Sequence, residues 1–134
     1  MEYKMELTKG IIGKKELTVT MDKTAAAVGS GLLDVFATPQ MIALMEATAS
    51  ESVAPYLDEG STSVGTLVNV SHVAATPVGM TVRCESELIE VEGRKLVFTV
   101  KAYDECGLIG EGNHERFIVF SEKFMAKTNA KLAK

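Results

Sequence analysis

Residues 38–57, TPQMIALMEATASESVAPYL, constrain the fold more than any other stretch, because they read as one apolar helix with a carboxylate set into its middle. Thr38 is a good N-cap, and Pro39 suits the first helical position, where a missing N–H costs nothing. From Met41 to Ala49 the residues are apolar nearly all round rather than along one stripe, which predicts a helix enclosed by the rest of the chain. Glu46 is the exception. Its neighbours one turn away are Ile42, Ala43, Ala49 and Ser50, so the helix supplies no cation to pair with it. A buried carboxylate without a partner is costly, so such a group is met by a partner from elsewhere in the chain or belongs to a functional site. The alternative reading puts Glu46 on a small exposed strip with Ser50.

The rest of the chain reads as strands that wrap this helix. Residues 3–9 and 14–21 suggest two strands around a turn at Gly10 to Gly13. In residues 24–37, Gly29, Ser30 and Gly31 form a loop ahead of the helix, either a lid or a plain connector with a helical turn at 32–35. Pro55 and the Asp58-Glu59-Gly60 run end the helix. Residues 63–75 alternate so that Val64, Thr66, Val68, Val70, His72 and Ala74 share one face. Residues 81–91 point Val82, Cys84, Ser86 and Leu88 inward, residues 94–103 point Leu96, Phe98, Val100 and Ala102 inward, and a last strand covers 109–120, loosened at Gly110 and Gly112. The tail from Ser121 is polar and suits a helix with Lys123, Lys127, Lys131 and Lys134 on one face. One long helix and a curled antiparallel sheet of five to six strands make an α+β layout, a single domain over 1–134. Its exposed sheet edge predicts pairing across a two-fold axis, a homodimer.

Composition narrows the function. A net charge of −4 argues against nucleic acid as a main partner. No apolar run approaches a membrane span of about 20 residues, and the N-terminus lacks the apolar stretch of a signal peptide, so the expectation is a cytoplasmic protein that does not enter membranes. Cys84 and Cys106 have no metal-ligand spacing; Cys84 reads as core, and nothing near Cys106 in sequence would activate it as a nucleophile. His114, with Glu111 and Glu115 around it, makes no metal motif and reads as structural or exposed, so no metal is expected.

Three polar residues stand out by position: Thr38 at the helix start, Glu46 inside it and His72 on the inner face of a valine-rich strand. A hydroxyl, a carboxylate and an imidazole are the parts of a nucleophile, base and orienter set. Each also has a quiet reading, as a cap, a satisfied buried acid and a core histidine bonded to backbone. Thr38 and Glu46 are eight residues apart, about 12 Å along a helix, so one imidazole cannot easily bond both. If all three act together, the chain before Pro39 bends back or the site is shared across a dimer.

The segments VFATPQMIALMEATA (35–49), SVGTLVNVSHVAATPVGMTV (63–82) and EVEGRKLVFTVKAYDECGLIGEGNHERFIV (90–119) resemble the hotdog-fold thioesterases, most closely the fluoroacetyl-CoA thioesterase group. The resemblance covers roughly residues 33–127 and keeps its spacing. It implies a hotdog fold, a dimer with acyl-CoA entering at the subunit interface, and hydrolysis of the thioester to free acid and CoA. It places that group's catalytic threonine, glutamate and histidine on Thr38, Glu46 and His72. The glycine that lies against the acyl group falls on Gly65 of the SxGT segment, with Thr66 beside it and Phe36 of VFAT as further substrate-binding residues. Coenzyme A is part of the substrate, and no cofactor is implied. The group's shielding phenylalanines ahead of the helix are replaced here by AAAVGSGLLDVFA, in which Phe36 is the only aromatic, so an acyl group other than fluoroacetyl is expected. The lysines of the tail are either solvated surface or contacts for CoA phosphates. Two chemical routes stay open: water activated by Glu46 or His72, or covalent attack by Thr38 or Glu46, with a backbone N–H near Gly65 binding the oxyanion. The rivals are a non-catalytic acyl-CoA binder on the same fold and an enoyl-CoA hydratase, whose DxNPxH-type segment is absent from this sequence.

Overall fold

Alternation of apolar and polar residues along the chain after the helix gives long strands, and the structure, a computed structural model that describes residues 6–133, joins them with one earlier strand into a single antiparallel sheet. The strands are β1 (Ile12–Thr18), β2 (Ser61–His72), β3 (Thr81–Glu92), β4 (Lys95–Asp104) and β5 (Gly107–Phe120), in the order β1-β3-β4-β5-β2. The helices are a single turn, α1 (Ala25–Val28), the long α2 (Thr38–Val53) and the C-terminal α3 (Ser121–Asn129). Val82, Cys84, Ser86 and Leu88 of β3 and Leu96, Phe98, Val100 and Ala102 of β4 are buried, as their alternation predicts. All but Ser86 form one core with Met41, Leu44, Met45, Ala49 and Val53 of α2.

Several expectations are corrected. Residues 6–9 form no strand, and residues 3–5 lie outside the described chain. Beyond β1 the edge of β3 is met by Gly10 and Ile11, through Gly10 N–H to Leu88 O at 2.8 Å and Leu88 N–H to Ile11 O at 2.9 Å. The helical turn falls at Ala25–Val28 rather than 32–35, because Thr24 caps it through Ala27 N–H and Gly29, at φ 78°, stops it. Thr38 is no cap. It is the first residue of α2; Ala37 holds the cap position, with no side-chain cap hydrogen bond. α2 is also not enclosed: the sheet covers one side, while Ala43 is exposed and Ile42, Glu46, Ala47 and Ser50 are half-buried.

β2 carries the most consequential departure. A bulge between Gly65 and Leu67 takes Thr66 out of the pairing with β5. A strand extended by one residue changes face, so Val68, Val70 and His72 share the inner face as predicted, but ahead of the bulge that face carries Ser63 and Gly65 instead of Val64 and Thr66. β2 pairs only with β5 and is a sheet edge. α3 carries Lys123 and Lys127 exposed, and Lys131 follows in a short 3-10 turn; Lys134 lies outside the described residues.

Candidate active site

Two polar clusters flank α2, one at its start and one two turns further on. At the first, Thr38 Oγ1 lies 2.7 Å from His72 Nδ1. Three features bring them together. The chain leading into α2 is pinned by Phe36 N–H to Thr76 O at 2.9 Å and Ala37 N–H to Lys23 O at 3.0 Å. His72 ends β2 opposite Gly110 of β5. A Cβ at Gly110 would stand 2.5 Å from Met41 Sδ and 2.8 Å from Ser71 O, so glycine there leaves room for the first turn of α2 against the sheet.

His72 is half-buried, and its Nε2 is buried with no hydrogen-bond partner among the described residues. Burial pushes its pKa below the ordinary imidazole value, with the backbone at Ala74 opposing. The ring is therefore held neutral, able to accept a proton. Thr38, His72, Phe36, Val35, Ser30 and Val73 are among the residues lining a cavity of about 280 Å³. Phe36 itself is buried and part of the core. A larger cavity, about 550 Å³ between Leu57 and Arg94, contains none of the predicted site residues.

The second cluster surrounds Glu46, which is 41% exposed. Its carboxylate lies against Gly65, where an added Cβ would be 2.5 Å from Glu46 Oε2. Arg116 Nη1 stands 3.9 Å from the same oxygen. Arg116 donates from Nε to Ser63 Oγ at 2.7 Å and from Nη2 to Ser63 O at 2.8 Å. His114, only 1% exposed, lies beside it with its ring stacked on Phe98. Arginine can only donate, so His114 Nε2 accepts from Nη1 at 3.2 Å and Nδ1–H donates to Leu67 O at 2.8 Å. Burial lowers the His114 pKa, the Leu67 carbonyl opposes, and Arg116 lowers it further. His114 is thus the structural histidine that the sequence suggested.

Within the chain Thr38 and His72 meet, while Glu46 sits apart with Gly65. Arg116 and Ser63 were not among the residues expected at the site from sequence. Their signal was the inward parity of His114, Arg116 and Ile118 on β5, two bases on a face otherwise apolar. Thr66 is exposed at the bulge. Among the described residues no group of three His, Cys, Asp or Glu side chains could hold a metal, and no helix is long and apolar enough to cross a membrane.

Known proteins share this arrangement of elements. Residues 19–122 match the family described as fluoroacetyl-CoA-specific thioesterase, FlK. The chain is 48% identical over 98 residues to the fluoroacetyl-CoA thioesterase of Streptantibioticus cattleyicolor, spanning 73% of this chain and 70% of that protein. The crystal structure of the fluoroacetyl-CoA thioesterase FlK superposes with a TM-score of 0.90 at 38% identity, covering 95% of this chain and 98% of the other. A FlK variant crystallised with fluoroacetate and CoA matches with a TM-score of 0.84 at 39% identity, over 88% and 99%. A hot-dog-like protein from Thermanaerovibrio acidaminovorans matches with a TM-score of 0.84 at 25% identity, over 92% and 91%.

Proposed function

Because the chain belongs to the fluoroacetyl-CoA-specific thioesterase family and has its hotdog fold, we propose that it hydrolyses a short-chain acyl-CoA at a site built by two subunits: Thr38 and His72 of one, Glu46 of the other. The observation that carries this is the 2.7 Å contact between Thr38 Oγ1 and His72 Nδ1, with His72 Nε2 buried and unpartnered on the far side of the ring. If Thr38 donates to Nδ1, Nε2 carries the proton and calls for an acceptor. The one acid of the expected set is Glu46, about 12 Å away along its own helix.

A second copy resolves the distance. β2 is an edge strand with Leu67 and Val68 exposed on it, and such edges are commonly covered by pairing with another copy. Antiparallel pairing of two β2 strands about a two-fold axis through Asn69, with Thr66 skipped at the bulge, sets each His72 opposite the partner's Gly65, on the same inner face. The partner's Glu46 comes with it.

In this reading Thr38 Oγ attacks the thioester carbonyl while its proton passes to His72 Nδ1, and the partner's Glu46 steadies the imidazolium through Nε2. The CoA thiolate leaves with the proton from His72. Water, deprotonated in turn by His72, then releases the acid and restores Thr38. A backbone N–H at the partner's Gly65 binds the oxyanion. The 280 Å³ cavity lined by Val35 and Phe36 suits a short acyl group.

Mixing inactive Glu46→Gln and His72→Ala subunits tests the shared site. Each mixed dimer contains one intact set, so an equal mixture recovers about a quarter of wild-type thiol release from acyl-CoA. No recovery, from variants that exchange subunits, would refute it. Single-turnover mass spectrometry that finds no acyl-Thr38 species would move the attack to water. Acyl-CoA binding by the wild type without CoA release would make the protein a binder instead.

A further inference from the structure

The proposed reaction uses Glu46 but leaves unexplained the buried basic pair beside it. Building on the Thr38, Glu46 and His72 reading above, we propose that Arg116, locked by Ser63 and His114, is a positioning residue that holds the Glu46 carboxylate against Gly65, in the orientation from which it meets the partner's His72.

The guanidinium has almost no freedom. It is 7% exposed, and two of its nitrogens are taken by the side chain and carbonyl of one residue, Ser63, while Nη1 is engaged with His114 Nε2. His114 is fixed in turn by Leu67 O, immediately past the bulge. One edge of this rigid plane faces Glu46 Oε2 at 3.9 Å. The missing side chain at position 65 opens the path between them: a Cβ there would lie 2.5 Å from Oε2 and 3.5 Å from Arg116 Nη1.

A purely structural role fits poorly. A guanidinium placed inside a core is costly to desolvate, and an ion pair at 3.9 Å to a half-exposed acid returns little of that cost. As a fixed charge aimed at a carboxylate that must keep one orientation, the same arrangement has a use.

The charged and titratable groups around Glu46 are few. β5 supplies Arg116, His114 and Glu115, the last paired with Lys95 of β4 at 3.6 Å. The adjoining inner face of β3 offers Cys84, buried and with its thiol pKa raised by that burial, and β4 offers the uncharged Leu96 and Phe98. Lys15 of β1 is engaged with Glu51, further along α2. Among the described residues, Arg116 is therefore the cation that acts on Glu46.

Steady-state kinetics tests this with Arg116→Gln, Arg116→Lys, Ser63→Ala and Glu46→Gln, each checked by thermal melting. Arg116→Gln should lower kcat by up to about a hundredfold with KM little changed. Arg116→Lys should restore part of kcat. Ser63→Ala, which keeps the charge but frees the guanidinium, should also lower kcat with KM little changed. On the residual rate of Glu46→Gln, Arg116→Gln should add nothing. A folded Arg116→Gln enzyme with wild-type kcat, or full additivity in the double variant, overturns the proposal. If Arg116→Gln does not fold, wild-type kcat in both Ser63→Ala and Arg116→Lys overturns it. The two readings fail separately: an inactive Glu46→Gln with an unaffected Arg116→Gln sinks only this one, whereas a fully active Glu46→Gln sinks the shared site as well.

Discussion

Gly65→Ala displaces the Glu46 carboxylate without straining the backbone beside it. The new Cβ would lie 2.5 Å from Glu46 Oε2, and ordinary contact begins at 3.4 Å, so the carboxylate has to retreat by about 0.9 Å. The neighbouring His114 Cε1, at 3.3 Å, needs to give far less. Gly65 is not among the positive-φ glycines, so alanine fits the backbone, and alanine in a strand recovers about 0.5–1 kcal/mol relative to glycine. Moving the end of one flexible, half-exposed side chain uses up about as much. The melting temperature should therefore stay within a few degrees of wild type, a shift of about 1 kcal/mol at most. Catalysis is less forgiving: displacing an orienting group by about 1 Å costs up to about a hundredfold in kcat. Thiol release from saturating acyl-CoA measures kcat, and scanning calorimetry of the same sample measures the fold. A variant that melts normally and turns over at the wild-type rate would refute the claim that Glu46 acts from its place beside Gly65. A large loss of stability would refute the account of the carboxylate as the part that yields.

Burial holds the pKa values of His72 and His114 below the ordinary imidazole value of 6.5, so on acidification the unfolded chain takes up protons before the native one. Their contribution to stability is complete above about pH 6.5 and is lost as pH falls below it; a melting temperature flat from pH 7.5 to 5 would contradict this. Asp104 accepts hydrogen bonds from Thr76 Oγ1, Cys106 N–H and Gly107 N–H, and Thr76 O in turn holds Phe36 N–H ahead of Thr38. Asp104→Ala should cost about 1–3 kcal/mol in chemical denaturation and lower activity with it, whereas unchanged stability would mean the turn holds without its carboxylate. Val68→Lys places a charge on the β2 edge and should give a monomer in sedimentation that releases no CoA; a monomer with wild-type turnover would remove the need for a second subunit.

The core was legible because β3 and β4 alternate cleanly, and a period of two leaves their buried faces no choice. Val68, Val70 and His72 were placed correctly by the same rule. Val64 and Thr66 were not, since a bulge is set by what the partner strand and the helix require, and Gly65 alone does not announce it in sequence. Thr38 looked like a cap because caps and first-turn residues share a composition; its contact with His72 depends on a fit between Met41 and Gly110, sixty-nine residues apart. The enclosure expected for α2 failed in the most instructive way. Ile42, Ala43 and Ala47 are apolar, yet one sheet leaves them partly or fully open, beside a β2 edge that also exposes Leu67 and Val68. A sequence apolar all round the helix asks for more burial than this one sheet supplies, which the second copy proposed above would provide. The uncovered side carries Glu46, the group whose proposed partner lies in a second copy. The helix pattern, the open edge and His72 Nε2, without a hydrogen-bond partner among the described residues, are all accounted for by the second copy proposed above.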